Sequence, residues 1–174
     1  MAPLGPLNGK NFATSISPWI IPADALEPFR IPSVPHDKSP APYLADDERG
    51  NYDMSLKVEV IVDGISTVTC QSQTKDSLYW NFRQMMAHQT IGGCGLLSGD
   101  LLATGTVSGS ADDARGCLME STWGGRRPTE LKSGGSLEYL KDGMSVRITG
   151  TIGEQNGIGF GECIGELKAR YHCR

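Results

Sequence analysis

Nine of the ten prolines lie at or before Pro42, and the tenth is Pro128. Proline fixes φ at about −65° and has no N–H to give a ladder. A stretch such as SPWIIPADALEPFRIPSVPHDKSPAPYL, Ser17 to Leu44, therefore has no place inside a sheet. It must run extended across a surface, with room for one short helical turn at Asp24 to Phe29. Beyond it the chain carries much of its 22 glycines among ordinary apolar content, 39% of 174 residues. That combination favours a turn-rich β fold over disorder. At this length one domain over residues 1–174 is expected, divided into a Pro-rich arm (1–52) and a β-rich core (53–174).

Within the core, SLKVEVIVDGISTVTCQ alternates Leu56, Val58, Val60 and Val62 on one face and then reaches Asp63-Gly64, so a hairpin is expected. One helix is expected in TKDSLYWNFRQMMAHQ. Thr74 can cap it, Asp76 suits its first turn, Leu78, Phe82, Met85 and Met86 share a stripe, and Gly92-Gly93 ends it. Further strands are expected at Leu101 to Val107, Cys117 to Trp123, Leu137 to Leu140, Ser145 to Ile152 and Ile158 to Cys163.

The formal net charge is −4 and no basic run exceeds Arg126-Arg127, so there is no electrostatic footprint for nucleic acid or an anionic membrane. A small-molecule ligand is the expectation. The start MAPLGPLNGKNF lacks the layout of a signal peptide, and no apolar run approaches the roughly 20 residues that span a bilayer, which suggests a soluble, cytoplasmic protein. Five widely spaced cysteines with no CxxC pair read as reduced, mostly buried thiols.

Several motifs carry little. In GPLNGKN the glycines are one residue too close for a phosphate loop, and Asn11 stands where Ser or Thr should hold Mg²⁺. The carboxylates Asp46, Asp47, Glu48 and Asp53, like Asp112 and Asp113, read as solvated acidic turns. His36 sits in the arm and His172 in the tail, while His88, near a helix C-terminus, suits a structural role there. Glu120 differs. Period-two alternation puts it on one face with Leu118 and Thr122, and on periodicity alone an edge or barrel-mouth carboxylate and a functional one are both open.

LNGKNFATSISPWIIPADALEPF, AHQTIGGCGLLSGDLLATGTVSG, CLMESTWGG and GIGFGECIGEL, in that order, resemble the C-terminal part of the catalytic domain in the fumarylacetoacetate hydrolase family, and specifically its fumarylacetoacetase branch. The resemblance spans nearly the whole chain. It implies a mostly β (α+β) fold, a mixed β-sheet roll or barrel-like domain with one main helix. It implies hydrolysis of the carbon–carbon bond of 4-fumarylacetoacetate to fumarate and acetoacetate, which ends tyrosine and phenylalanine catabolism. On this resemblance Glu120 pairs with a catalytic histidine and positions the attacking water, Lys10 supplies charge to the oxyanion, and Thr106 contacts the substrate carboxylate. Lys10 and Thr14 help form a site for Mg²⁺ and/or Ca²⁺, whose main carboxylate ligands belong to segments upstream of LGPLNGK. The partners implied are a diketo acid and, at full length, a second copy in a homodimer. The expectation is that this chain is a C-terminal fragment holding part of the active site. The alternatives are a non-catalytic β domain keeping only fold and dimerisation surface, or a sister acylpyruvate hydrolase or oxaloacetate decarboxylase, which the long proline arm disfavours.

Overall fold

The computed structural model describes residues 13–46, 49–153 and 157–169. Within these the order is α1 (Ala23–Leu26), a 3₁₀ turn (Glu27–Phe29), β1 (Arg30–Ile31), a second 3₁₀ turn (Pro42–Leu44), β2 (Asn51–Tyr52), β3 (Met54–Val62), β4 (Ile65–Gln73), α2 (Thr74–Ser77), α3 (Phe82–Thr90), a third 3₁₀ turn (Asp112–Ala114), α4 (Leu118–Ser121), β5 (Thr129–Glu130), β6 (Ser136–Leu137), β7 (Ser145–Ile152) and β8 (Ile158–Glu166). The domain is mostly β with short helices, as expected. Its principal sheet runs β4-β3-β7-β8, antiparallel at every pairing. Among the described residues it is neither mixed nor closed into a barrel; the remaining strands form two-residue pairs, β1 with β2 and β5 with β6.

The Asp-Gly turn forms where the alternation placed it. Asp63 (φ 50°) and Gly64 (φ 78°) both take the left-handed conformation that lets a two-residue loop follow the strand twist. Farther along, the register slips between Val58 and Glu59, leaving Thr69 without a partner across the hairpin. This bulge changes the phase of β4. Thr67, opposite Val60, and Cys70, opposite Val58, are both buried although two residues, Val68 and Thr69, lie between them, and Ser72 follows in the new phase. On the covered face, Val60 packs with Leu131, Leu137 and Met144.

Glu59 lies on the opposite face from Val60 and is nonetheless 6% exposed. Arg147, its direct partner on β7, donates from Nε to Oε2 at 3.0 Å, Ser66 donates from Oγ to Oε1 at 2.8 Å, and Lys57 Nζ lies 3.3 Å from Oε2. These donors, Arg147 first, hold the Glu59 carboxyl at about 2, against an ordinary value of 4.5, and burial opposes them only in part. Because the folded value is depressed, the pair stabilises the fold above the ordinary carboxylate range and ceases to do so as pH falls from about 4.5 to about 2. Thermal unfolding followed across that window should therefore decline more steeply in the parent than in Glu59→Gln; parallel declines would contradict the assignment.

The single helix expected over 74–89 is divided. Thr74 does not cap it: its hydroxyl donates to the Tyr52 carbonyl and accepts from the Met54 amide at 2.9 Å, fastening β2 and β3 to α2. The chain leaves the helical region at Leu78 (ψ 99°) and restarts at Asn81. There Asn81 Oδ1 accepts from the Gln84 amide at 2.9 Å while Gln84 Oε1 accepts from the Asn81 amide at 3.1 Å, a reciprocal capping box. Gln84 also donates to Leu44 O at 2.9 Å, so α3 is docked on the arm.

The arm is less extended than its prolines suggest, since β1 folds back on β2. Its start borders β8: Ser17 Oγ donates to the Phe160 carbonyl at 3.2 Å, and the Trp19 ring covers Gly161, where a Cβ would lie 2.3 Å from ring carbon. Gly161 also has φ 72°, so both space and backbone require glycine there.

Candidate active-site loop

Residues 105–120 form a loop that leaves the 99–107 run and ends in α4. Two expected strands are corrected here. Leu101 to Val107 has no strand pairing, with Leu101 and Leu102 63% and 46% exposed. Cys117 to Trp123 contains the one-turn helix α4. The local chemistry explains the second departure. The Thr122 hydroxyl donates to the Leu118 carbonyl at 2.6 Å and accepts from the Gly125 amide at 3.0 Å, while Trp123 (φ 53°), Gly124 (φ 67°) and Gly125 (φ 84°) are all left-handed. Three such residues in succession end a helical turn and cannot continue a strand. Leu118 and Thr122 still share a face, now at helical spacing, and Glu120 points out to the surface instead of inward with them.

Glu120 is held there by a residue the sequence did not single out. Ser108 Oγ donates to Glu120 Oε2 and itself accepts from the Gly116 amide at 2.9 Å. Around this pair the loop is cinched. The Gly109 amide donates to Ala114 O at 2.8 Å, and the Arg115 guanidinium donates to Gly109 O at 3.0 Å and Ser110 O at 3.1 Å. Gly116 lies so near Val107 that a Cβ would be 2.7 Å from its carbonyl oxygen. Thr106 is exposed and lies two residues before Ser108.

The other expected site residues are not brought together with these. Thr14 is exposed on the arm, beside Ser15, whose Oγ would meet a Cβ at Gly165 on β8 at 3.4 Å. The Glu120 loop instead adjoins β4, the opposite edge of the sheet. Lys10 lies outside the described residues, as do Asn11 and the GPLNGKN motif, Asp47, Glu48, His172 and Cys173. Among the described residues no group of three or more His, Cys, Asp or Glu side chains could hold a metal ion. Thr14 alone offers one neutral hydroxyl, whereas Mg²⁺ and Ca²⁺ take about six or more oxygen ligands, carboxylates prominent among them. The described residues thus do not fit a divalent-cation site.

The described histidines are engaged elsewhere. His88 Nδ1 is 3.0 Å from the Tyr43 hydroxyl, joining the last turn of α3 to the arm, as a structural role requires. His36 packs between Tyr79 and Trp80, with ring centroids 4.5 and 4.6 Å away. Asp46 is no solvated turn residue: it binds Arg83 at 2.9 Å and accepts from Asn81 Nδ2 at 2.8 Å. Cys70, Cys94, Cys117 and Cys163 are all free, and burial, with the charges of Asp113 and Glu120 adding to it, pushes the Cys70 thiol up despite a bond with Ser72. Cys70 is thus a core residue, not a nucleophile.

One concavity is walled in part by the loop, and a second ends just before it. A polar cleft of about 530 Å³ lies between α2, the sheet and residues 109–114, with Lys57, Gln71, Ser77 and Ser110 in its wall. An apolar cavity of about 620 Å³, lined by Trp80, Phe82, Met86 and Leu102 among others, extends to Thr104, two residues before Thr106. No helix among the described residues is long and apolar enough to cross a membrane.

Residues 1–169 match the family described as fumarylacetoacetate (FAA) hydrolase C-terminal. Similar proteins include the fumarylacetoacetase of Arabidopsis thaliana, 46% identical over 168 residues, covering 95% of this chain and 39% of that protein. The fumarylacetoacetase of Homo sapiens is 42% identical over 168 residues, covering 95% and 40%, and that of Emericella nidulans 44% identical over 170 residues, covering 95% and 39%. The chain therefore spans about two fifths of the length of these relatives.

Proposed function

The chain belongs to the fumarylacetoacetate hydrolase family, matching its C-terminal portion, and from that premise we propose that it contributes one wall of a site that cleaves the carbon–carbon bond of 4-fumarylacetoacetate with water. The observation that carries this reading is the Ser108-anchored carboxylate of Glu120, on the motifs that give the resemblance, with Thr106 two residues before Ser108 in the chain. Cleaving a 1,3-diketone hydrolytically requires water aimed at a carbonyl carbon, a donor for the developing oxyanion and a grip on the acid. Glu120 orients the water together with a base. Among the described residues neither His36 nor His88 is hydrogen-bonded to it, and on the resemblance the base is a histidine of the segments upstream of LGPLNGK. Thr106 binds the substrate carboxylate, and Lys10 serves the oxyanion. The products are fumarate and acetoacetate, as at the end of tyrosine and phenylalanine breakdown, in a cytoplasmic homodimer. On this reading residues 1–52 are an arm on a core of 53–174.

Residues 1–174 alone should show no useful loss of diketone absorbance and only weak Mg²⁺ or Ca²⁺ binding by calorimetry. Supplying the portion of the Arabidopsis relative that this chain does not span should restore cleavage. Rapid turnover by residues 1–174 alone would contradict the divided site, and absence of turnover in the reconstituted pair would contradict the hydrolase reading. In any active form, Thr106→Val keeps the β-branched shape and deletes one hydroxyl, so KM should rise by about tenfold with kcat nearly unchanged. Unchanged KM with collapsed kcat would remove Thr106 from substrate binding.

A further inference from the structure

Glu120 sits on a four-residue helix, which by itself cannot fix a side chain, because one turn is marginally stable and an exposed glutamate samples several rotamers. A catalytic carboxylate needs a narrower distribution than that. The geometry points to Ser108 as the residue that supplies it: we infer that Ser108 is a positioning residue, whose hydroxyl locks one oxygen of the Glu120 carboxylate and leaves the other to face the reacting water. This inference rests on the reading of Glu120 given above.

The orientation of that hydroxyl is determined by its surroundings. The Gly116 amide, 2.9 Å away, occupies a lone pair of Ser108 Oγ and directs its proton to Glu120 Oε2. Gly116 is held in turn by its close approach to the Val107 backbone, and Arg115 staples the carbonyls of Gly109 and Ser110 on the far side. Serine is thus the hinge point between the segment that carries Thr106 and the turn that carries Glu120. Oε1 has no hydrogen-bond partner among the described residues, which is the arrangement a water-orienting carboxylate requires. A hydrogen bond to a charged acceptor is stronger than a neutral one, so its loss should be visible in turnover.

The test uses the native polypeptide that contains residues 1–174. Ser108→Ala should lower kcat about tenfold with KM within about twofold, and Ser108→Thr, which keeps the hydroxyl, should recover to within about threefold of the parent. In a Glu120→Gln background Ser108→Ala should have less than about a twofold further effect, because the two residues act as one unit. Parental kcat in Ser108→Ala, or a full multiplicative loss in the double variant, would overturn the inference. The tether is also read without turnover. The carboxylate carbon resonance of ¹³C-labelled Glu120 should move in Ser108→Ala and stay in place in Ser110→Ala, and an unmoved resonance would overturn it. Full turnover in Glu120→Gln, with the resonance shift still present, would instead retire the catalytic reading of Glu120 and leave the tether standing.

Discussion

Glu120→Gln should lower turnover by about 10²-fold or more while leaving KM within about threefold, in any form of the protein that cleaves the diketo acid. The substitution is nearly isosteric. Ser108 can donate to the amide oxygen of Gln as it does to Oε2 of Glu120, so the side chain stays where it is and the loop keeps its shape. What is lost is the negative charge that orients water and stabilises a protonated base beside it. A carboxylate used in that way contributes only once proton transfer begins, and its removal therefore appears in kcat rather than in binding. Steady-state assays of diketone loss decide the matter. A variant that retains near-parental turnover would exclude Glu120 from the chemistry and leave it a surface residue at a well-ordered turn.

The sequence pointed to Glu120 for the wrong structural reason. Period-two counting through Cys117 to Trp123 assumed a strand, whereas the Thr122 hydroxyl and the left-handed run Trp123-Gly124-Gly125 convert the segment into one helical turn and send the carboxylate outward. Its candidacy rests on the resemblance and not on the periodicity. Ser108 is not visible in the sequence pattern. A serine in a Gly/Ser/Asp loop looks like any solvated turn residue, and its value comes from a contact twelve residues away that no local pattern encodes.

The hairpin and the strands β7 and β8 were legible because each depends on local chemistry, an Asp-Gly turn in the first and runs bounded by Gly-containing turns in the others. The bulge at Thr69 was not, since the β-branched run reads equally well in either phase until Thr67 and Cys70 are found buried together. The division of the helix could have been read. Asn81 followed three residues later by Gln84 is a capping-box spacing, but a strong apolar stripe through Leu78 and Phe82 invited a continuous helix across it. Asp46 was not legible for the opposite reason: its partners Asn81 and Arg83 are distant in sequence, whereas Asp47 and Glu48 are its chain neighbours.

Gly116→Ala tests whether this framework is rigid. At most glycines of this chain a methyl group has room or meets a movable side chain, but at Gly116 it would lie 2.7 Å from the Val107 oxygen, 3.0 Å from its nitrogen and 3.1 Å from its carbonyl carbon. These are backbone atoms that no rotamer change can remove. The two segments must part, and the Gly116 amide then loses its bond to Ser108 Oγ. Overpacking of this kind costs about 2–3 kcal/mol, which for a domain of this size lowers the unfolding midpoint by about 5–10 °C. Gly92→Ala is the control, because nothing lies within 4 Å of its added Cβ and its midpoint should move by no more than about 1–2 °C. Differential scanning calorimetry of the two variants beside the parent gives the comparison. Should Gly116→Ala melt with the parent, the 107–116 segment yields freely, and a loop that yields freely could not hold Ser108 and Glu120 in one fixed geometry.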